Sequence, residues 1–214
     1  MKRISIIMLF ILGLNLIGGC QTATNNQSNN PTDTNQPAPN PVVVNLPADY
    51  YPLTVGSSWE YEGAGNEFAS FTRKVLFSKG NMTQTTEDNG GTVATRIIET
   101  TDNAVKIVFF AGEDYQPKNL LDTNFTTNDN DIILQAPLKV STSWAGKDAN
   151  KSIIAIDALV DTPAGKFDNC IKVKFAGQND TIYQYFKKGV GMVKQEFISG
   201  NTTVTSTLKR YEVK

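Results

Sequence analysis

The sequence predicts an all-β fold: a single antiparallel, strongly curved sheet of about eleven strands that forms a half-barrel, a barrel or a sandwich. Three observations predict it. From Pro47 onward, apolar and polar residues alternate with a period of two. Turn-forming sequences recur between these alternating segments. After Cys20, no window keeps an i, i+3, i+4, i+7 apolar stripe over three turns, so little helix is expected.

The alternating segments define the expected strands and the turns that join them. Asp88-Asn89-Gly90-Gly91 and Ser199-Gly200-Asn201 are typical of hairpin turns because they supply residues that accept a positive φ. Strands joined by such short turns are antiparallel. The polar stretch Gly112 to Asn130 is expected to be the longest loop, or a lid. The expected strands are Ser58 to Gly63, Phe68 to Lys79, Met82 to Glu87, Val93 to Thr101, Ala104 to Phe110, Ile132 to Gln135, Ser152 to Val160, Lys166 to Phe175, Thr181 to Lys187, Met192 to Ser199 and Thr202 to Val213.

The N-terminus has the pattern of an export signal. Lys2 and Arg3 precede the apolar stretch Ile6 to Ile17, which is too short to span a hydrocarbon core of about 30 Å. The stretch ends at Ile17-Gly18-Gly19-Cys20, which resembles the bacterial lipobox. The resemblance implies cleavage after Gly19 and a lipid-modified, palmitate-bearing Cys20, with residues 1–19 as the signal peptide. The chain is then expected to be anchored at the extracytoplasmic face of the cell membrane, or in the outer membrane if the source has two membranes.

Residues 20–45 are expected to be a disordered tether after the lipidated cysteine, and residues 46–214 one β-rich globular domain. The tether is dominated by Thr, Asn, Gln, Ser and Pro, and it lacks the apolar residues needed for a core. Removing Lys2 and Arg3 leaves 18 of the 20 basic residues against 21 acidic ones. This weakly acidic balance argues against nucleic acid as a partner.

The two tryptophans of the chain lie in two similar segments. Pro52-Leu53-Thr54-Val55-Gly56-Ser57-Ser58-Trp59 and Pro137-Leu138-Lys139-Val140-Ser141-Thr142-Ser143-Trp144 match in register at Pro, Leu, Val, Ser and Trp. In one interpretation, each segment is a corner whose tryptophan begins a strand and plugs one end of the sheet. In the other, Trp59 and Trp144 line an apolar ligand cavity, because aromatic side chains are typical of such sites.

Three motifs extend over most of the globular domain. They are Pro52-Leu53 to Trp59-Glu60-Tyr61, Thr162-Pro163-Ala164-Gly165-Lys166-Phe167-Asp168-Asn169-Cys170, and Lys188-Gly189-Val190-Gly191-Met192-Val193. Together they resemble a pattern of uncharacterised exported β-rich proteins and lipoproteins of clostridia and their relatives. The resemblance implies a shared β-rich fold and brings no established activity.

Enzyme chemistry is not expected, and no catalytic residue, metal ligand or cofactor is assigned. The chain contains no histidine, which excludes Ser-His-Asp and Cys-His nucleophiles and the usual zinc sites. The carboxylate pairs Glu60 and Glu62, Glu87 and Asp88, and Glu113 and Asp114 are interpreted as solvated strand edges and loops. Cys170 is expected to be a buried, inert thiol. Asn128 to Asp131 lacks the spacing of a calcium loop and is interpreted as a solvated loop.

Two classes of function agree with these features. The first is an envelope lipoprotein of unknown biochemical role that acts as an interaction or structural module, with cell-wall polymer or a protein as partner. The second is a carrier that holds an apolar or amphiphilic ligand, such as a lipid, in the curved sheet. A carrier predicts an apolar concave face beneath the Gly112 to Asn130 loop. An interaction module predicts a filled interior and an exposed apolar patch.

Overall fold

The computed structural model describes residues 45–214, which form a single twelve-stranded antiparallel sheet. The all-β prediction is confirmed: helix is limited to two short 3₁₀ segments, Pro47–Tyr50 and Leu120–Asp122, within the described residues. The predicted signal peptide, Cys20 and nearly all of the tether lie outside the described residues. Residues Val43–Lys214 make one compact unit with its own apolar core, as expected of a part that folds on its own.

The strands follow one another along the chain with short connections, except for the loop before β6. Their bounds are β1 Ser58–Ala64, β2 Phe71–Lys79, β3 Met82–Asp88, β4 Val93–Thr100, β5 Ala104–Ala111, β6 Asp131–Gln135, β7 Ser143–Ala145, β8 Asn150–Thr162, β9 Gly165–Ala176, β10 Asp180–Lys187, β11 Gly191–Ser199 and β12 Thr202–Glu212.

The sheet consists of two six-stranded meanders joined edge to edge. Its strand order is β6-β5-β4-β3-β2-β1-β12-β11-β10-β9-β8-β7, so the first and last strands pair at the centre of the sheet. The two edge strands, β6 and β7, are consecutive in sequence. Side-chain hydrogen bonds bring these edges together. Trp144 Nε1 on β7 donates to the Ile132 carbonyl of β6 at 3.0 Å, and Lys151 Nζ on the adjacent strand β8 donates to the same oxygen at 2.8 Å. The sheet is therefore curved into a nearly closed barrel.

The predicted strands agree with the observed ones to within two residues at each end, apart from two differences. β2 begins at Phe71 rather than Phe68, because Asn66 to Ser70 form a turn in which the Asn66 side chain accepts a hydrogen bond from the Phe68 amide. The sequence analysis also did not include β7. That strand has three residues, and an alternation of period two cannot be recognised over so short a segment.

The two similar tryptophan segments form the same corner before β1 and β7. In each, the residue before the serine–tryptophan pair closes a turn: the Ser57 amide donates to the Thr54 carbonyl, and the Thr142 amide donates to the Lys139 carbonyl, both at 3.1 Å. Each corner also exchanges two backbone hydrogen bonds with one residue of a neighbouring strand. That residue is Val75 of β2 for the first corner and Ile153 of β8 for the second. The corners therefore share one backbone structure as well as a sequence pattern.

The Gly112 to Asn130 loop packs against the outer face of the sheet. Leu121 of this loop forms a small core cluster with Ile97 and Val108, and Phe125 packs at its side. Ile97 and Val108 follow Arg96 and Ile107, which face the interior, so alternation places them on the outer face. The Gln84 side chain fixes the loop by bonding to the Lys118 carbonyl and the Leu120 amide. The segment that a carrier was expected to use as a lid therefore covers the outside instead.

The hairpin of β8 and β9 leaves part of one strand edge uncovered. β7 pairs with β8 only as far as Ser152, and the corner before β7 adds hydrogen bonds to Ile153. Beyond Ile153, this edge of β8 has no strand partner within residues 45–214. Ile154, Ile156 and Leu159 are exposed there, with Leu159 81% exposed. Within residues 45–214, the structure contains no helix with the length and apolar character required to cross a membrane.

Candidate ligand-binding cavity

The interior of the sheet encloses a cavity of about 520 Å³. Its walls come from β2 to β6 and from β8 to β12, so both meanders contribute. Apolar side chains such as Phe71, Ile133 and Phe175 form part of the wall, which continues into the main core cluster. Five charged side chains also line it: Arg73, Glu87, Arg96, Asp131 and Lys151. The cavity lies within the size range of small-molecule sites, of about 300–1,000 Å³.

The cavity opens at the end of the sheet where the β1–β2, β3–β4, β7–β8 and β9–β10 turns lie. Phe68 and Phe110 line this end and are half-exposed. An adjoining cavity of about 590 Å³ shares part of its wall with the first and reaches the turn residues Lys147 to Ala149 and Gly177 to Asn179. The residues that line both spaces are Arg96, Ile107, Phe110, Asp131, Lys151, Phe175 and Gln184.

The first charged group of the cavity joins Arg73, Glu87 and Arg96 on three neighbouring strands. Strand register places Arg73 directly across from Glu87, and Arg96 diagonally across from it. Arg73 donates from Nε at 2.8 Å and from Nη2 at 2.6 Å to Glu87 Oε1. Arg96 Nη1 donates to Glu87 Oε2. One carboxylate therefore pairs with two guanidinium groups.

Burial and charge oppose each other at Glu87. Burial by itself raises the pKa of this carboxyl, but the guanidinium groups of Arg73 and Arg96 outweigh burial and hold the pKa below its ordinary value. Arg73 lies over the rings of Tyr51, Tyr61 and Phe71, at 5.3 to 5.9 Å from their centroids. Burial also raises the pKa of Tyr51, which stays neutral. The group is therefore two cations and one anion at neutral pH.

The second charged group joins Lys151 on β8 to Asp131 on β6. Lys151 Nζ lies 2.7 Å from both Asp131 carboxylate oxygens and 4.5 Å from the Phe175 ring centroid. Burial lowers the pKa of Lys151, and the hydrogen bonds and charge of Asp131 oppose that effect. Because β6 and β7 are not joined by a backbone ladder, this ion pair also holds the two edges of the sheet together.

Trp59 and Trp144 are buried in the main core cluster, at 3% and 7% exposure. Their indole N–H groups are bonded to backbone: Trp59 Nε1 donates to the Val190 carbonyl at 2.6 Å and Trp144 Nε1 to the Ile132 carbonyl at 3.0 Å. Each is the second residue of its strand. Neither ring is among the residues that line the interior cavity. The predicted lipidation residue, Cys20, lies outside the described part of the chain.

The other residues considered from sequence have separate places. Cys170 is buried, and burial raises the pKa of its thiol to about 11. The Asn128 side chain bonds to the backbone of Phe110, and Asp129 pairs with Lys147. Residues 45–214 contain no cluster of three acidic, Cys or His side chains arranged to hold a metal ion.

The sequence interpretation of Glu87 was wrong. It was taken as a solvated strand edge, whereas it lies in the wall of the cavity between two arginines. The signal that could have found it is in β2, where Phe71, Arg73 and Val75 occupy successive positions of one face. A charged residue at an apolar position of the alternation indicates a buried ion pair, since burial of a lone charge is prohibitive.

Comparisons with known proteins give two similar solved structures. One is described as a "putative exported protein with YmcC-like fold" from Bacteroides fragilis, with 14% identity and a TM-score of 0.49. The other is described as a "putative lipoprotein" from Parabacteroides distasonis, with 15% identity and a TM-score of 0.39. Each similarity covers 76% of this chain and 98% of the other. Neither a model of a known protein family nor a curated protein matches the chain.

Proposed function

We propose that the protein is a lipid-anchored extracytoplasmic binding protein, without catalytic activity of its own, that carries a small ligand inside its curved sheet. The observation that carries this proposal is the cavity of about 520 Å³. A structural module would fill this space with side chains. Here charged and aromatic residues of both meanders face an open interior instead. Burial of charged groups has a cost in stability, which a binding function explains.

The support for the anchor comes from sequence. Ile17 to Cys20 resembles a lipobox, and the three motifs of the domain resemble exported β-rich lipoproteins of clostridia. A cell-envelope location at the extracytoplasmic face follows from these resemblances. In the experiment for the anchor, cells that express the full chain are grown with an alkyne-labelled fatty acid. We expect label and membrane association for the natural chain, and neither for Cys20→Ser. Equal membrane association of both chains would contradict lipid anchoring at Cys20.

The carrier proposal is tested by blocking the cavity. Ala94 lines it, and an Ala94→Trp substitution places a large side chain in the open space. Leu159→Trp adds a tryptophan on the outer surface and is the matched control. Protein purified from its membrane is examined by native mass spectrometry and solvent extraction. We expect a bound small molecule with the natural chain and the control, and none with Ala94→Trp. Absence of a bound small molecule from all three folded proteins, or its equal presence in all three, would contradict the carrier proposal.

A second candidate function is an interaction module, and the uncovered edge of β8 favours it. An exposed strand edge with apolar side chains accepts a strand from another protein. The test places a photo-crosslinking amino acid at position 159 in living cells, with position 62, an exposed site on β1, as the control. A discrete crosslinked partner at position 159 alone is the result expected for this function. Absence of a crosslink that is specific to position 159 would exclude it.

A further inference from the structure

We propose that the cavity selects an amphipathic monoanion, a ligand with one carboxylate-type or sulfonate-type group and an apolar body, and that Arg96 binds the anionic group. This inference rests on the proposed carrier function and specifies its ligand class. It depends on which hydrogen-bonding groups of the cavity are already used and which are free.

The acidic groups of the cavity are fully engaged. Both oxygens of Glu87 accept hydrogen bonds from arginine, and both oxygens of Asp131 accept from Lys151. A cationic ligand would therefore find no unpaired carboxylate. The three cations and two anions leave one excess positive charge in the wall.

Arg96 has more free donors than Arg73, the other arginine of the cavity: Arg73 uses Nε and Nη2 for Glu87, whereas Arg96 uses one nitrogen. Only Nη1 of its guanidinium group forms a hydrogen bond within residues 45–214. No buried side-chain nitrogen or oxygen in that part of the chain lacks a partner, so the remaining N–H groups of Arg96 reach open space. Arg96 lines both the interior cavity and the adjoining one. A guanidinium group with free N–H donors binds carboxylate and related groups in a two-pronged geometry.

The apolar body of the ligand has a matching surface beside Arg96. The Phe110 ring lies 5.3 Å from the Arg96 guanidinium carbon, which holds the guanidinium plane against an aromatic wall. Phe68, Ile107 and Phe175 are further apolar side chains that line the same cavity. An anionic group on Arg96 would leave the rest of the ligand among these side chains.

The outer part of the site favours a single negative charge. The adjoining cavity is lined by Asp129, Asp131, Asp148 and Asp180, against only three cations, Arg96, Lys147 and Lys151. A ligand with two or more negative charges would be repelled there more than a monoanion. The excess of one positive charge lies deeper, at the Arg73, Glu87 and Arg96 group.

The test compares three ligands that share a ten-carbon chain: decanoate, neutral 1-decanol and decyltrimethylammonium. Binding to residues 43–214 is measured by calorimetry below the aggregation concentration of each ligand. We expect decanoate to bind about tenfold or more tightly than the other two, as charge-assisted hydrogen bonds imply. Arg96→Gln should weaken decanoate binding by about the same factor and abolish the preference. Arg210→Gln removes a surface charge outside the cavity and should leave decanoate binding unchanged.

The outcomes separate this inference from the carrier proposal. Equal binding of decanoate and 1-decanol, or unchanged decanoate binding by a folded Arg96→Gln, overturns the ligand class and leaves the carrier proposal standing. Binding of none of the three also overturns the ligand class, and the carrier proposal is then decided by the native mass spectrometry of Ala94→Trp and its control. Thermal melts establish that each variant is folded. If Arg96→Gln does not fold, Arg96→Lys retains the charge without the two-pronged geometry, and weakened but still anion-selective binding is then the expected result.

Discussion

Arg73 and Lys151 occupy equivalent positions in the two halves of the sheet. Trp59 on β1 is the cross-strand partner of Arg73, and Trp144 on β7 is the cross-strand partner of Lys151. Both cations are buried, at 8% and 3% exposure, and each pairs with a carboxylate from another strand. The corner sequences that precede the two tryptophans therefore introduce the same arrangement on two sides of the cavity. The Arg73–Glu87 pair lies within the first meander, and the Lys151–Asp131 pair joins the second meander to the first.

The Glu87 carboxylate is expected to be important for stability. Glu87→Ala leaves Arg73 and Arg96 facing each other without an anion, and loss of one partner of a buried ion pair costs about 3 kcal/mol or more. The loss of unfolding free energy is measured by urea denaturation, with tryptophan fluorescence as the signal. Glu62→Ala on β1 is the control, because Glu62 is exposed, and it should change stability by less than about 0.5 kcal/mol. Equal effects of the two substitutions would contradict the assignment of Glu87.

The same carboxylate should make stability depend on acidic pH. Its folded-state pKa lies below its ordinary value, so its contribution to stability is complete above the unfolded value of about 4.3. The contribution disappears as the pH falls through the lower folded-state pKa. Glu60, Asp168 and Glu196 also have lowered pKa values and remain in the variant. We therefore expect the unfolding free energy to fall less between pH 5 and pH 3 for Glu87→Gln than for the natural chain, measured in urea; parallel curves would exclude this role.

The succession of strands along the chain could be predicted from sequence, because alternation and turn residues are local signals. β3, β4 and β5 follow directly from runs of alternating residues between glycine- and asparagine-containing turns. Pairing of β1 with β12 could not be predicted in this way, since it joins residues far apart in sequence. Closure through Trp144 and Lys151 depends on side chains rather than a ladder and has no local pattern.

The site was harder to predict than the fold. The sequence analysis left two interpretations of Trp59 and Trp144 open, as plugs at the ends of the sheet or as walls of an apolar ligand cavity. The structure instead lines the cavity with Arg73, Arg96 and Lys151. Arg73 and Lys151 are buried and Arg96 is half-buried, because each has a partner on another strand. Only the combination of register and alternation across three strands would have brought Arg73, Glu87 and Arg96 together.

Replacement of Ser141 by glycine should stabilise the protein. Ser141 has φ +74°, and Gly56, its counterpart in the other corner, has φ +90°. The left-handed region costs a residue with a side chain about 1–2 kcal/mol, while glycine loses part of this gain through its greater freedom in the unfolded chain. Ser141→Gly should therefore raise the unfolding free energy by about 0.5 kcal/mol, and Gly56→Ser should lower it by about 1 kcal/mol. Urea denaturation measures both, and a loss of stability in Ser141→Gly would show that the corner depends on the serine.

Cys170 should be chemically inert in the folded protein. Its thiol is fully buried, and its pKa of about 11 leaves little thiolate at neutral or mildly alkaline pH. Reaction with an aromatic disulfide reagent at pH 8 should be at least about a hundredfold slower in buffer than in urea, because exchange requires thiolate and access. The folded unit of residues 43–214 contains this cysteine alone, so the signal has one source. Rapid labelling without denaturant would contradict the buried position.

Truncation of two aliphatic residues of β8 should change stability by very different amounts, because one residue is buried and the other is exposed. Ile153 is 1% exposed in the main core cluster, and Ile153→Ala should lower the unfolding free energy by about 3 kcal/mol through lost burial and the cavity left behind. Leu159 is largely exposed on the uncovered edge, and Leu159→Ala should change the unfolding free energy by less than about 0.5 kcal/mol. Urea midpoints of the two variants in residues 43–214 provide the comparison. A large loss of stability in Leu159→Ala would show that this edge is covered in solution, and a concentration-dependent midpoint would identify a second copy of the chain as its cover.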